Sequence, residues 1–257
     1  MKIISSLQNP LIKELKKLQS VHSRKKASAL VFVEGKRACE PFLTSPYFSL
    51  HTLLCTPEMV AWADQQKVSD DSIIQTTPEI IKTLSSATTP SGLIGVFTPQ
   101  TITTTTPLST ALVLAELQDP GNMGTLLRTA TAFDIECIVV GGVSPFHPKV
   151  IQSSAGALAH ARIRQMSWQE LVAQAKQEYA QLIALVPQGG IPLHALTNTT
   201  DHAQLLVVGN EAHGIPTQWI QDCTHQATIG ISNSTESLNA AIAGAIALYH
   251  ITQIKGA

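Results

Sequence analysis

Beyond position 110 the chain passes through five short, almost uninterrupted apolar runs: ALVLAEL (111–117), ECIVVGG (136–142), AQLIALV (180–186), AQLLVVG (203–209) and ATIGI (227–231). Runs this short and this continuous read as strands covered on both faces, not as half-exposed strands that alternate polar with apolar. Helix-patterned segments near 122–133, 148–160, 168–178 and 215–221 lie between them. A last one runs from about 236 to 254, with Leu238, Ile242, Ala245, Ile246 and Tyr249 on one side. This alternation predicts an α/β fold with a parallel sheet between helices, whose ligands sit at the carboxyl ends of the strands.

A boundary precedes this region. Residues 98–110, TPQTITTTTPLST, hold seven Thr and two Pro in thirteen positions. Branching at Cβ and the missing Pro donors make such a stretch extended and poorly helical. It reads as a linker between a domain over 1–97 and another over 111–257. In the first, strands are expected at 29–35, 49–55, 71–75 and 93–97, and helices at 9–20, 36–43, 57–67 and 78–85. That is a smaller α/β domain.

Charge is distributed unevenly. The chain carries −1 overall, but residues 1–50 carry +6, residues 51–110 carry −3 and residues 111–257 carry −4. A basic front on a neutral to acidic body is the local footprint expected for a polyanion, and it argues against a protein coated in positive charge. Apart from Lys2, the basic residues of that front form a cluster of Lys13, Lys16, Lys17, Arg24, Lys25, Lys26, Lys36 and Arg37. With 44 % hydrophobic and 14 % charged residues, the composition is that of a folded chain. Cys39, Cys55, Cys137 and Cys223 form no CxxC pair, which suggests neither a zinc site nor a disulfide framework. The start, MKIISSLQNP, reaches polar residues and a proline too soon for a signal-peptide core, and no apolar run approaches the ~18 residues of a membrane span. A reduced, cytoplasmic protein without metal or membrane partner is expected.

Three strand ends gather the polar residues of the second region. After the first strand comes DPGNMG (119–124), a turn into a helix in which Arg128 is the only charge over 122–133. Arg128 suits either an ion pair with Glu116 or Asp134 or a role at a site. The fourth strand ends in Gly209-Asn210-Glu211, with Gly214 and Pro216 opening the next helix. The last strand leads into SNSTESLNAA, where Ser234, Thr235 or Ser237 could cap the final helix with Glu236 in its first turn. No GxGxxG opens a helix after the first strand, which excludes an ordinary dinucleotide-binding reading.

Taken together, DPGNMGTLLRTA, VVGNEAHGIP and ESLNAAIAGAIALY resemble the three signature motifs of the SpoU/TrmH family of RNA ribose 2′-O-methyltransferases, in the SPOUT superfamily. PKVIQSSAGAL (148–158) is similar to the family's helix after the second strand. SSLQNPLIKELKKL, LVFVEGKRACE and SGLIGVF are similar to its substrate-binding domain of ribosomal-protein-like α/β fold. The resemblance implies a deep trefoil knot in the C-terminal domain and S-adenosylmethionine as methyl donor. It implies a cofactor pocket lined by Gly209, Ile229 and Leu238, with Ile231 and Leu185 nearby, that reads adenine through backbone groups. Arg128 takes the position assigned to activating the 2′-hydroxyl, with Asn122, Glu211, Ser237 and Asn239 positioning it, the ribose and the loops. A guanidinium of pKa above ~12 is no proton acceptor, so stabilising oxyanion charge and anchoring phosphate suit it better. The proton acceptor is left unassigned.

The resemblance further implies a homodimer, no metal, and a structured RNA substrate, with ribosomal RNA of the 23S type favoured. A tRNA substrate, or a non-catalytic RNA-binding or ribosome-assembly factor on the same scaffold, are the alternatives. Two positions depart from the family pattern. Gly230 stands where Pro is common, and Gln152 where Arg is frequent, which removes one phosphate contact.

Overall fold

The computed structural model describes residues 1–21, 30–100, 102, 106–196, 202–232 and 234–255. Backbone contacts divide the chain into two compact units, one of Met1–Gln100 with Phe146–His160, the other of Thr101–Pro145 with Ala161–Ala257.

The first unit is built from β1 (Lys2–Ile4), α1 (Pro10–Val21), β2 (Val31–Glu34), α2 (Lys36–Leu43), β3 (Phe48–Cys55), α3 (Val60–Asp64), β4 (Ile73–Thr76), α4 (Pro78–Leu84) and β5 (Leu93–Pro99). The strands form one sheet in the order β1-β4-β3-β5-β2. Strand alternation divides the side chains between its faces. Ile12 and Leu15 of α1 and Ile80, Ile81 and Leu84 of α4 pack with Ile74, Ile94 and Val96 on one face. Phe97, next to Val96, faces the other way and lies 5.3 Å from the Phe42 ring of α2.

In the second unit the order is β6 (Ala111–Ala115), α5 (Pro120–Ala132), β7 (Glu136–Val140), β8 (Ile163–Gln165), α7 (Trp168–Gln177), β9 (Gln181–Leu185), β10 (Ile191–Pro192), β11 (Gln204–Val208), α8 (Thr217–Asp222), β12 (His225–Thr228) and α9 (Ala240–Lys255). The seven strands lie in the order β10-β12-β9-β11-β6-β7-β8, and every pairing is parallel. All residues of β6, β7 and β11 are buried, which is why these segments are apolar almost without interruption. α9 lies against α5 and β11 through a small residue: a Cβ on Gly244 would come within 2.6 Å of Leu126 Cδ2. No helix among the described residues is long and apolar enough to cross a membrane.

Several elements differ from the sequence reading. α9 begins at Ala240, not near 236, because Asn239 Oδ1 accepts the backbone N–H groups of Ala241 (2.9 Å) and Ile242 (3.2 Å) and thereby caps it. Ser234, Thr235 and Ser237 therefore precede the helix. The last strand covers His225–Thr228, not 227–231, since its partner β9 ends where Leu185 pairs with Ala227. Ile229 and Ile231 thus lie on the loop that follows. The helix expected over 148–160 is interrupted by left-handed backbone at Ala155 (φ 50°) and Gly156 (φ 86°). It becomes α6 (Pro148–Ser153) and a 3-10 turn at Ala157–His160. The segment expected helical over 57–67 is a 3-10 turn, Pro57–Met59, followed by α3. β1 and β8, three residues each, are too short to show a period.

The stretch 146–160 packs within the first unit, although the sequence reading put it inside 111–257. Ser45 Oγ donates to the Ala159 carbonyl, and the Phe146 ring meets Phe48 edge-on at 6.0 Å.

In the second unit the end of the Thr/Pro-rich stretch is fastened by a buried ion pair. Arg164, fully buried on β8, donates from Nε to Glu136 Oε1 at 2.7 Å. Its Nη1 reaches the Thr106 carbonyl at 2.8 Å, and Ser109 Oγ donates to the other Glu136 oxygen at 3.1 Å. The Leu108 N–H is held by Glu178 at 2.6 Å. Such a pair adds little over an apolar replacement of both partners, but breaking it strands a buried charge. Arg164→Met is therefore expected to destabilise the second unit by about 3–5 kcal/mol, measured as a lowered urea midpoint. The double variant Arg164→Met/Glu136→Leu should recover most of that loss.

Candidate active site

β11 lies between β9 and β6, and β12 pairs with β9, so the carboxyl ends of β9, β11 and β12 are neighbours. The segments leaving them enclose a cavity of about 660 Å³. Leu185 ends β9 and Val186 and Pro187 follow it, Val208 ends β11 and Gly209–Ile215 follow it, and Ile229, Ile231 and Ser237–Asn239 lead from β12 to Ala240 at the start of α9. Ligand cavities of ~300–1,000 Å³ with mostly apolar walls and a few convergent polar groups are the usual form of a small-molecule site.

One chain of hydrogen bonds ties together the turns after β6, β11 and β12. Glu211, after β11, accepts the backbone N–H of Gln118 on one carboxylate oxygen (3.1 Å). The other oxygen takes the Asp119 N–H (3.2 Å) and the Asn122 side-chain NH2 (3.0 Å). The Asn122 carbonyl oxygen then accepts from Asn239 Nδ2 at 2.9 Å. Asn239 completes the chain by capping α9 with its own carbonyl oxygen. A carboxylate only accepts, so the amide orientations follow in sequence: Asn122 must present NH2 to Glu211, and Asn239 must present NH2 to Asn122.

The local sequence explains how each member is placed. Asp119 caps α5 by accepting the N–H groups of Gly121 (2.6 Å) and Asn122 (3.0 Å), with Pro120 in the first turn. After β11 the chain folds back through Asn210, whose side-chain oxygen accepts from Ala212 and His213, while its backbone pairs with Gly214. A Cβ on Gly209 would lie 2.5 Å from the Gly214 carbonyl carbon, so only glycine permits this return. Partial burial of Glu211 raises its pKa, but hydrogen bonds from Asn122 and from its own, Gln118 and Asp119 backbone outweigh that and hold it below the ordinary 4.5. Glu211 is therefore a fixed anion at neutral pH.

Leu185, Gly209, Ile229, Ile231 and Leu238, named from the resemblance as cofactor residues, all line the cavity, as do Glu211, Ser237 and Asn239. Asn122 and Arg128 do not line it. Asn122 reaches it through Glu211 and Asn239. Arg128 is exposed on α5 and has no ion pair or hydrogen bond among the described residues. The alternative pairing with Asp134 is taken by Arg162, 3.4 Å away. Sequence reasoning missed Val186, Pro187, His213, Ile215 and Ile220 on the cavity wall and the backbone donors at Gln118 and Asp119. The strand-end rule already pointed at Pro187. At Gly230 an added Cβ would meet nothing within 4 Å.

The basic residues separate. Lys13, Lys16 and Lys17 are exposed on α1, on one face of the first unit's sheet, while Lys36 and Arg37 are exposed at the start of α2 on the other. Arg24, Lys25 and Lys26 lie outside the described residues.

Comparison with known proteins adds the following. The family model described as the SpoU rRNA Methylase family matches residues 109–249, and the MRM3-like substrate binding domain matches residues 9–95. An uncharacterized tRNA/rRNA methyltransferase of Synechocystis is 32 % identical over 96 % of this chain and 92 % of its own length. The 23S rRNA (guanosine(2553)-2′-O)-methyltransferase RlmP of Bacillus subtilis is 26 % identical over 98 % of this chain and 99 % of its own. The crystal structure of an AdoMet-bound rRNA methyltransferase from Sinorhizobium meliloti superposes with a TM-score of 0.83 at 22 % identity, covering 98 % of this chain and 97 % of that one. At that identity the likeness speaks to the fold.

The network gives a titration test. Because the folded pKa of Glu211 lies below its unfolded value of 4.5, its stabilisation is present above pH 4.5 and is lost as the pH falls through the folded pKa. Asn122→Leu removes the side-chain donor and leaves the desolvation. Carboxyl-carbon NMR of the variant should show the Glu211 pKa moved upward, with the acid-side loss of stability beginning at higher pH.

Proposed function

The chain belongs to the SpoU rRNA methylase family, and on that premise we propose that it methylates the 2′-oxygen of a ribose in ribosomal RNA of the 23S type, with S-adenosylmethionine as donor. The observation that carries the reading is the Glu211–Asn122–Asn239 chain, which fixes three separate turns at the rim of one cavity. Similarity to RlmP along nearly the whole of both chains supports the rRNA substrate.

The cavity fits the donor. Its volume suits a nucleoside-sized ligand, isoleucine and leucine side chains supply flat apolar walls for a base, and the Glu211 carboxylate favours a cation. When bound, S-adenosylmethionine supplies an electrophilic methyl group on a sulfonium. Leu185, Ile229, Ile231 and Leu238 hold the donor and exclude water, and the backbone from Gly209 to Gly214 offers preset polar groups that need no ordering on binding. Both oxygens of Glu211 are occupied by N–H donors, so it positions α5 and does not serve as the base. Asn239 holds the start of α9, and Ser237 presents a hydroxyl at the wall. Arg128 meets the phosphate and the charge that grows on the ribose oxygen, a role open to a cation without a partner among the described residues.

The first unit grips the RNA through Lys13, Lys16 and Lys17 of α1, with Arg24–Lys26 and with Lys36 and Arg37 of α2, and the enzyme works in the cytoplasm. Two copies pair through α9, where Ile242 (51 % exposed), Ile246 and Tyr249 (55 %) form an apolar ridge beside Phe133. The trefoil knot that the family resemblance implies belongs to the same reading.

Labelled donor and 23S-type rRNA lacking 2′-O-methyl groups test the reaction: transfer to a ribose is expected, and tight RNA binding with no transfer would favour a binding-only factor. Transfer to tRNA alone would replace the substrate. Arg128→Ala is expected to lower kcat by about 10²–10³-fold, with the dissociation constant for S-adenosylmethionine, measured by calorimetry, changed by less than about twofold. Replacing Lys13 and Lys16 by Gln should weaken RNA binding and flatten its log–log salt dependence by about 0.7–0.9 for each phosphate left without its lysine.

A further inference from the structure

One wall of the cavity includes a short helix that is held by its packing on the core and not by its own hydrogen bonds. α8 has six residues, none of them buried, and its N-cap residue, Pro216, makes no side-chain cap. A helix this short does not persist on its own hydrogen bonds. Ile215, just before it, and Ile220, inside it, both line the cavity. Where α8 sits therefore decides where Ile220 sits and bears on Ile215, which the core also holds.

Trp219 and Ile220 pack α8 on the core, and the contact that adds a directed hydrogen bond to that packing is made by a residue outside the cavity. The Trp168 ring, 3 % exposed at the start of α7, stacks on Trp219 of α8 with ring centroids 4.6 Å apart and planes 5° from parallel. Its Nε1–H donates to Asp222 Oδ2, at the last residue of α8, at 2.8 Å. One indole thus grips α8 at two points separated by most of a turn, and the hydrogen bond adds direction to a stack that alone would allow sliding. Trp168 is itself fixed. Ser167 Oγ accepts the Glu170 N–H at 3.2 Å, and Glu170 returns a carboxylate oxygen to the Ser167 N–H at 2.7 Å. This capping box sets the first turn of α7 and with it the direction of the indole.

We infer that Trp168 is a positioning residue for the donor cavity, acting through Trp219 and Asp222 to hold Ile215 and Ile220 against the ligand. The inference rests on the reading of that cavity as the S-adenosylmethionine site. Trp168 touches none of the reacting groups, so its effect belongs on donor affinity and not on the transfer step.

Trp168→Phe keeps a stacking ring and deletes the donor; Asp222→Ala deletes the acceptor, and Asp222→Asn keeps one. The full-length protein is titrated with S-adenosylmethionine by calorimetry, and kcat at saturating donor and the thermal midpoint are measured alongside. Trp168→Phe and Asp222→Ala are each expected to weaken donor binding by about three- to tenfold, with kcat within about twofold of wild type, and Asp222→Asn is expected to restore the affinity. The double variant Trp168→Phe/Asp222→Ala should be no weaker than either single change, since both remove one bond. Donor affinity unchanged in both single variants overturns the inference, and so does a fall in thermal midpoint alone, which marks a purely structural contact. Wild-type protein that binds no S-adenosylmethionine overturns the cavity assignment and this inference with it, an outcome distinct from unchanged variants.

Discussion

A carboxylate has no proton to give at neutral pH, and in the second unit that limitation organises everything around the cavity. Glu211 takes N–H groups from Gln118, Asp119 and Asn122. Its demand for donors turns the Asn122 amide one way, which turns the Asn239 amide one way, which leaves the Asn239 oxygen to cap α9. Three turns far apart in the chain are thereby placed by a single direction of hydrogen bonding. No member can be exchanged for its acid or amide counterpart without reversing a donor further along.

Around that chain the packing is tight where the polar geometry needs support. Gly209 lets the backbone turn back on Gly214, and Gly244 lets α9 approach Leu126 of α5. Each removes a methyl group that would push apart elements the hydrogen bonds draw together. At the opposite end of the strands, Arg164 and Glu136 bring the Thr/Pro-rich stretch to the sheet with their charges satisfied. The two regions use charge differently: one carboxylate is buried with a guanidinium, the other is held by neutral donors at the cavity wall.

The central strands were legible because burial on both faces demands unbroken apolar runs, as in VLA of β6 and LLVV of β11. Strand-end position pointed to the turns after β6, β11 and β12, while the choice of Asn122, Glu211 and Asn239 within them came from the family resemblance; the structure joins those three by hydrogen bonds. What local patterns could not show was which partner stops an element. Ser234, Thr235 and Ser237 all looked like caps, yet Asn239 is chosen because Asn122 already holds its amide. β12 stops early because β9 does. Arg128 could be told from a structural ion pair only after Asp134 was seen beside Arg162. The two faces that separate Lys13 from Lys36 are likewise a property of the sheet, invisible in a count of charges.

The stretch from Phe146 to His160 leaves β7 to pack in the first unit and returns to begin β8. Covalent chain therefore passes between the units three times, once near residue 100 and once at each end of this excursion. A gene cut at the threonine-rich stretch would not yield two self-sufficient halves: the leading fragment would lack Val150, Ile151 and Leu158 from its interior, and the trailing one would carry them uncovered. In this chain the reciprocal loan makes neither unit a self-contained length of sequence, so a boundary drawn through the threonine-rich stretch follows composition and not packing.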